Sequence, residues 1–378
     1  MNWDETFNQS DPDRLKAYDA AIEKLKSAGR LYPCYETAEE LALKRKVALQ
    51  QGRPPVYDRA SLDLTDAQKS ELEAKGIRPH WRFKLNPTPI VWQDLVRGEV
   101  KFNGADLSDP VMIREDGRPL YHLGSVVDDV DTKITHIVRG EDHISNTAIH
   151  VQMFEAFGAT PPTFAHLSLI ADKEGGKLSK RLGSLSVEEL REEEGIEAMA
   201  ILSLLGRLGT SQPVEPISDI KQLIDTFDFA HFSRATPKLD TEELYRLNEK
   251  IVHQLPYAAV KDRVPASVDE AFWLAVRPNL TKVKDIAEWV DMVATKPATG
   301  VAAENKEFIA QASEVLPPEP WSADTWNAWV NAVKEKTGRK GKDLFMPLRQ
   351  ALTGMDHGPE LAVLLPLLGR AETLSRLN

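Results

Sequence analysis

Cysteine is almost missing from this chain: Cys34 is the only one in 378 residues. No disulfide can form within the chain, and a thiolate zinc site lacks its ligands. Long hydrophobic runs are also missing. No window holds 18 uninterrupted apolar residues, so no transmembrane helix is expected. The opening Met1-Asn2-Trp3-Asp4-Glu5 is acidic and has no apolar stretch behind it, unlike a signal peptide. A cytoplasmic setting follows as the expectation. Positive charge is in deficit, with 47 Lys and Arg against 58 Asp and Glu, a net charge of -11. That excludes a protein that coats DNA nonspecifically through its overall charge. It leaves room for a local basic face, because salt limits the reach of a charge to about 8–10 Å.

What is present fits a globular protein of two to four domains, 42% hydrophobic and 28% charged. The first helix is predicted from Ser10 as cap, with Asp13 three residues on. Leu15, Tyr18, Ile22 and Leu25 share one face, and Gly29 ends the helix. Thr37 and Glu40 form a capping-box pattern before a second helix that runs towards Gly52. Residues 81–123 read as strands, with Val111–Arg114 and Pro119–Leu123 as a hairpin about Asp116-Gly117. Thr135–Val138, a helix over 146–157 and Phe164–Ile170 make a βαβ unit. It implies a parallel sheet that binds ligands at the carboxyl ends of its strands. From Val187 onward the pattern is helical, and Leu316–Pro320 is the best linker candidate. The sequence before Ser10 offers no strands to partner the βαβ unit.

Three segments carry chemistry. Lys177-Leu178-Ser179-Lys180-Arg181 follows the flexible Gly175-Gly176. Its crowded cations repel one another unless an anion joins them, and a triphosphate does so, with lysine as a mobile point charge. The bland reading is a solvated basic loop. Tyr121 and Ser125 offer hydroxyls in the second segment. In the third, Arg139 closes a strand at the end where ligands sit, and its guanidinium can grip a carboxylate with two parallel bonds. The alternative for Arg139 is a structural ion pair with Glu141 or Asp142. Asp128, Asp129 and Asp131 lack the glycine turn and closing glutamate of a calcium loop, and read instead as an acidic helix start. Cys34 with His80 suggests zinc only weakly. The nine histidines include no His-x-x-x-His pair on an obvious helix.

Together these segments resemble glutamyl-tRNA synthetase, a class I aminoacyl-tRNA synthetase of the bacterial type. Lys177–Arg181 looks like the second signature loop of that class. Tyr121–Asp129 and Val138–His143 resemble the glutamate-pocket segments, Leu31–Tyr35 the entrance to the inserted acceptor-stem domain, and Leu348–Gly354 a stretch of the anticodon domain. The resemblance implies an α/β fold: a partial Rossmann-type catalytic domain with an inserted α+β acceptor-stem domain, followed by an all-helical anticodon-binding region. The implied divisions are 1–30, the remnant of the first catalytic half; 31–120, the insert; 121–186, the second catalytic half; 187–255, a helical stem-contact region; and 256–378, the anticodon-binding region.

The implied activity is ATP-dependent joining of glutamate to tRNA-Glu through glutamyl-adenylate. Lys177 and Lys180 are the implied catalytic residues. Lys177, Ser179 and Lys180 would bind ATP, and Tyr121, Ser125 and Arg139 would bind glutamate. Mg2+ would accompany ATP, no zinc is expected because Glu36 stands where relatives have a cysteine, and a monomer without membrane contact is implied. The first class signature, of His-Ile-Gly-His type, is absent. A late start at an internal methionine is expected to explain this. The competing reading is a truncated, noncatalytic tRNA-binding protein.

Overall fold

Pro12 presets the backbone of the first turn of α1 (Pro12–Ser27), whose N-cap is Asp11 rather than Ser10. Tyr18, Ile22 and Leu25 are buried on one face, while Leu15 is exposed. In the computed structural model, residues 6–176, 186–295, 297, 301–322, 324–358 and 360–378 are described. They divide into two units, Met1–Leu169 with Asp228–Pro237, and Ile170–Phe227 with Lys238–Asn378.

In the first unit, β1 (Leu31–Cys34), β2 (His80–Phe83) and β5 (Val111–Ile113) form an antiparallel sheet in the order β1-β2-β5. Between β1 and β2 lie α2 (Ala38–Gln50) and α3 (Asp66–Ala74). Thr37 with Glu40 and Thr65 with Gln68 cap them reciprocally, as the sequence pattern requires. A second sheet has the order β4-β3-β7-β6, with β3 (Pro89–Asp94), β4 (Gly98–Asn103), β6 (His136–Gly140) and β7 (Thr163–Leu167). The predicted βαβ unit is there: β6 and β7 are parallel, joined through α5 (Ile144–Ala156). The hairpin β3–β4 supplies its partner strands, β3 lying parallel to β7. Alternation along β3 buries Ile90, Trp92 and Asp94 on one side.

α5 is buried from Thr147 to Phe154 because it has an apolar cluster on each side. Ala148 and Val151 pack with Ile90, Trp92 and Phe164 of the parallel sheet. Ile149, Met153 and Phe154 pack with Leu25, Phe83, Met112 and Leu123. Gly104 is required at the end of β4: a Cβ there would stand 2.1 Å from the Asn86 carbonyl oxygen and 2.8 Å from that of Thr88.

Two further sequence expectations are corrected in this unit. Pro119–Leu123 is not a strand. Pro119 makes one isolated bridge to Ile113, and Tyr121 opens the helix α4 (Tyr121–Asp131). Burial of Leu123, Val126 and Val127 at helical spacing explains the choice. Asp128, Asp129 and Asp131 therefore end a helix rather than start one. Their unfavourable meeting with the negative end of the dipole is offset from α1. Arg14 pairs with Asp128 and, at 3.1 Å, with Asp131, and the Tyr18 hydroxyl donates to Asp128 at 2.9 Å.

The described part of the second unit is helical: α6 (Val187–Glu192), α7 (Ala198–Arg207), α8 (Ile220–Asp225), α9 (Thr241–Val252), α10 (Glu270–Val276), α11 (Ile286–Ala294), α12 (Lys306–Glu314), α13 (Thr325–Thr337), α14 (Lys342–Thr353) and α15 (Leu361–Leu377). Gly369, at φ 73°, breaks α15. Leu316–Pro320 is not a free linker. Leu316 is buried with Phe308, Trp329 and Leu365, and the Pro317 carbonyl accepts from Trp321 Nε1 and Arg370 Nε.

Candidate active site

Parallel pairing of β6 with β7 sets Arg139 opposite His166. Arg139 sits at the carboxyl end of its strand, where an open parallel sheet leaves room for a ligand. Its NH1 donates to the Tyr121 hydroxyl at 2.9 Å, its NH2 to Thr147 Oγ1 at 2.6 Å, and its Nε faces His166 Nε2 at 3.5 Å. All three partners are neutral acceptors. Burial pushes the guanidinium below the ordinary arginine range, although Tyr121, Asp129 and Asp142 oppose this. Among the described residues Arg139 has no carboxylate within ion-pair distance.

The ion pair of Arg139 with Glu141 or Asp142 that the sequence left open is not formed. Glu141 pairs instead with Arg97, and its other oxygen accepts from the Leu169 backbone N–H. Asp142 lies 3.9 Å from His143. Arg139 is thus a partly buried cation without a carboxylate partner among the described residues, an arrangement that is costly unless an opposite charge joins it.

α4 brings the second group of residues. Tyr121, Ser125 and Asp129 recur every four residues and so share one helix face. The first binds Arg139, and the charge of Arg139 reaches the last. Ser125, partly buried, lies between them along that face. Burial raises the Asp129 carboxyl to about 6 against the opposing pull of Arg139, and Asp128 adds to the rise.

Three histidines surround the Tyr121 ring: His122, His143 and His150 have ring centroids 5.4, 5.7 and 5.7 Å from it. His122 Nδ1 and His150 Nε2 share a hydrogen bond of 3.0 Å. Burial first, and then the charge of Arg139, pushes His122 down to about 4 and His150 to about 2. Both are neutral in ordinary buffers, so they line the site without adding positive charge.

Sequence reasoning picked out Tyr121, Ser125 and Arg139, and the first and last of these meet. It missed Thr147 and His166, which hold Arg139 from behind, and Asp94, which holds His166. The available signal was the βαβ unit itself: parallel register pairs the fourth residue of one strand with the fourth of the next, Arg139 with His166. Lys177, Ser179 and Lys180 lie outside the described residues. Just before them, Gly175 at φ 94° turns the chain, and the Gly176 N–H donates to Asp172 at 2.6 Å. The zinc suggestion at Cys34 meets a different arrangement. Glu36 accepts from the Tyr57 and Ser61 hydroxyls, each at 2.7 Å, and the Tyr57 hydroxyl lies 3.6 Å from Cys34 Sγ.

Comparison with known proteins adds the following. Residues 1–246 match the family of tRNA synthetases class I (E and Q), catalytic domain, and residues 218–378 match an anticodon binding domain. The glutamate–tRNA ligase of Azospirillum brasilense is 55% identical over 381 residues, covering 100% of this chain and 84% of that protein. Glutamate–tRNA ligase 1 of Maricaulis maris is 50% identical over 380 residues, with the same shares covered. The crystal structure of a glutamate tRNA ligase from Elizabethkingia meningosepticum, in complex with its amino acid, superposes with a TM-score of 0.82. It is 26% identical, covering 97% of this chain and 82% of that one.

Proposed function

The chain belongs to the glutamate–tRNA ligases, class I aminoacyl-tRNA synthetases, and on that premise we propose that Arg139 and Tyr121 hold a carboxylate of glutamate while Lys177, Ser179 and Lys180 hold the phosphates of ATP. Glutamate and tRNA are the substrates that membership implies. In the reaction, an α-carboxylate oxygen of glutamate attacks the α-phosphorus of ATP. Glutamyl-adenylate forms and pyrophosphate leaves. A ribose hydroxyl of the terminal adenosine of tRNA-Glu then attacks the adenylate carbonyl, and AMP leaves.

The α-carboxylate must stay free to attack, and a two-bond grip by a guanidinium would blunt it as a nucleophile. Arg139 therefore takes the side-chain carboxylate. The Tyr121 hydroxyl, now accepting from Arg139, can turn its proton toward the same group. Ser125 lies along the same helix face as a further hydroxyl. Lys177 and Lys180 are assigned, on their motif, to the charge that develops on the leaving pyrophosphate. Mg2+ is expected to enter with the ATP phosphates. Among the described residues no group of three or more His, Cys, Asp or Glu is placed to hold it.

The observation that carries this reading is Arg139: partly buried, at the carboxyl end of a parallel strand, seated on neutral acceptors. The noncatalytic reading is not favoured, since relatives named as ligases match along the whole of this chain. Residues 31–120 are assigned to the acceptor stem and 256–378 to the anticodon, in a cytoplasmic monomer. No described helix is long and apolar enough to cross a membrane.

The test is glutamate-dependent pyrophosphate exchange and charging of tRNA-Glu, for the chain and for Arg139→Ala. The substitution should raise the glutamate requirement by at least about tenfold, as expected when a charge-assisted pair is cut, and leave the ATP requirement unchanged. An unchanged glutamate requirement would make Arg139 a structural residue only.

A further inference from the structure

Arg139 is seated by a chain of groups that ends on a buried carboxylate. Asp94, the last residue of β3, is 4% exposed. Its Oδ1 accepts from three backbone N–H groups, those of Val96, Arg97 and His166, at 3.0, 3.0 and 3.1 Å. Its Oδ2 faces His166 Nδ1 at 2.5 Å. His166 is wholly buried, its ring centroid 6.4 Å from that of Trp92 and 6.2 Å from that of Phe164. Its other nitrogen, Nε2, faces Thr147 Oγ1 at 2.8 Å and Arg139 Nε at 3.5 Å.

The donor inventory fixes the protons. A carboxylate only accepts, so His166 Nδ1 carries a proton and donates it to Asp94. Arg139 Nε–H only donates, so His166 Nε2 must be bare. The Thr147 hydroxyl can then donate to Nε2 while its oxygen accepts from Arg139 NH2. Burial lowers the His166 pKa against the opposing pull of Asp94, which keeps the ring neutral. The hydrogen bonds to Asp94 outweigh its own burial and hold its carboxyl below the ordinary range. With the proton on Nε2 instead, two N–H groups would point at each other across the His166–Arg139 contact.

The geometry points to Asp94 as a positioning residue for the amino-acid site: it fixes the His166 tautomer that leaves Nε2 as an acceptor for Arg139. This rests on the reading of Arg139 as the glutamate-binding arginine. Asp94 touches no substrate and acts through two intermediaries, His166 and Thr147.

The structure supplies its own test, Asp94→Asn. Three backbone donors hold the Oδ1 position, so the carbonyl oxygen of the asparagine must stay there. Its NH2 group is then forced against His166 Nδ1, which becomes an acceptor and sends the ring proton to Nε2. The substitution is isosteric and reverses the tautomer. Calorimetric titration with glutamate should show affinity reduced by about tenfold, the loss of one hydrogen bond to a charged group. Nitrogen NMR of protein labelled with 15N-histidine should show the His166 proton moving from Nδ1 to Nε2. Thr147→Val, which removes an Arg139 acceptor without touching Asp94, should weaken glutamate several-fold and serves if Asp94→Asn does not fold. Arg139→Ala is measured alongside. Loss of affinity in Arg139→Ala but not in Asp94→Asn or Thr147→Val overturns the positioning role and leaves the arginine reading standing. An unmoved His166 proton in folded Asp94→Asn also overturns it. Unchanged affinity in Arg139→Ala overturns both.

Discussion

Glu141, two residues beyond Arg139, gives its carboxylate to Arg97 and to the Leu169 backbone N–H, not to its near neighbour. Arg97 thereby holds a nearby carboxylate away from Arg139, the residue proposed to bind glutamate. Replacing Arg97 by methionine should free Glu141 to compete for Arg139 and weaken glutamate binding by roughly fivefold, about 1 kcal/mol. Arg97→Met with Glu141→Gln should recover most of it. Titration calorimetry of both proteins checks this; a double variant no better than the single one would contradict it.

Asp129 gives a pH signature. Its folded-state pKa is raised to about 6, chiefly by burial, above the unfolded value of about 3.9. The folded state holds the proton more tightly between those values. The stability this contributes is present below about 4 and is lost as pH rises through 6. At pH 8 the ionised, partly buried carboxylate is a liability. Asp129→Asn should raise the urea midpoint more at pH 8 than at pH 4.5. An equal gain at both, or a larger one at low pH, would show that the carboxyl titrates normally.

Arg376, near the end of α15, is a stability element of the helical unit. Its side chain is fully buried. NH1 donates to the carbonyls of Met292 and Leu352 and NH2 to that of Val293, all in the last turns of α11 and α14. The last carbonyls of a helix have no partner of their own, and the helix dipole favours a cation there. Arg376→Met strands three of them. At about 1–3 kcal/mol for each stranded group, a loss of at least about 3 kcal/mol is expected in urea unfolding of that unit. A loss below about 1 kcal/mol would mean that the carbonyls find other partners.

Lys180 is proposed as an ATP-binding residue from the resemblance of its motif to a signature loop. Lys180→Ala should slow adenylate formation by a factor of about a hundred or more, the usual effect of deleting one preorganised donor to a developing charge. Binding of tRNA should hardly change. Rapid-quench measurement of adenylate formation decides; an unaltered rate would remove the lysine from the chemistry.

Much of this was legible from local rules. Thr37 with Glu40 predicted a capped helix and one is there, because a capping box needs only residues three apart. The βαβ unit around α5 was legible from periodicity and length. Pro119–Leu123 was misread because a short apolar run suits a strand or a helix equally well, and burial against α1 and α5 decided for the helix. The front of the site, Tyr121 and Arg139, could be named from motifs. Its back could not. Asp94 and His166 are 72 residues apart and meet through the parallel pairing of β3 with β7, which no local pattern encodes.

Arg139 is the group proposed to recognise the side-chain carboxylate of glutamate. The most direct measurement is a ligand-by-variant cycle: calorimetric affinities of glutamate and of glutamine, each for the unaltered chain and for Arg139→Gln. The two ligands differ at the side-chain terminus, a carboxylate in one and an uncharged amide in the other. The expected result is a preference for glutamate of at least about tenfold in the unaltered chain, lost or reversed in Arg139→Gln. The same preference for glutamate in both proteins would contradict the claim and place carboxylate recognition elsewhere.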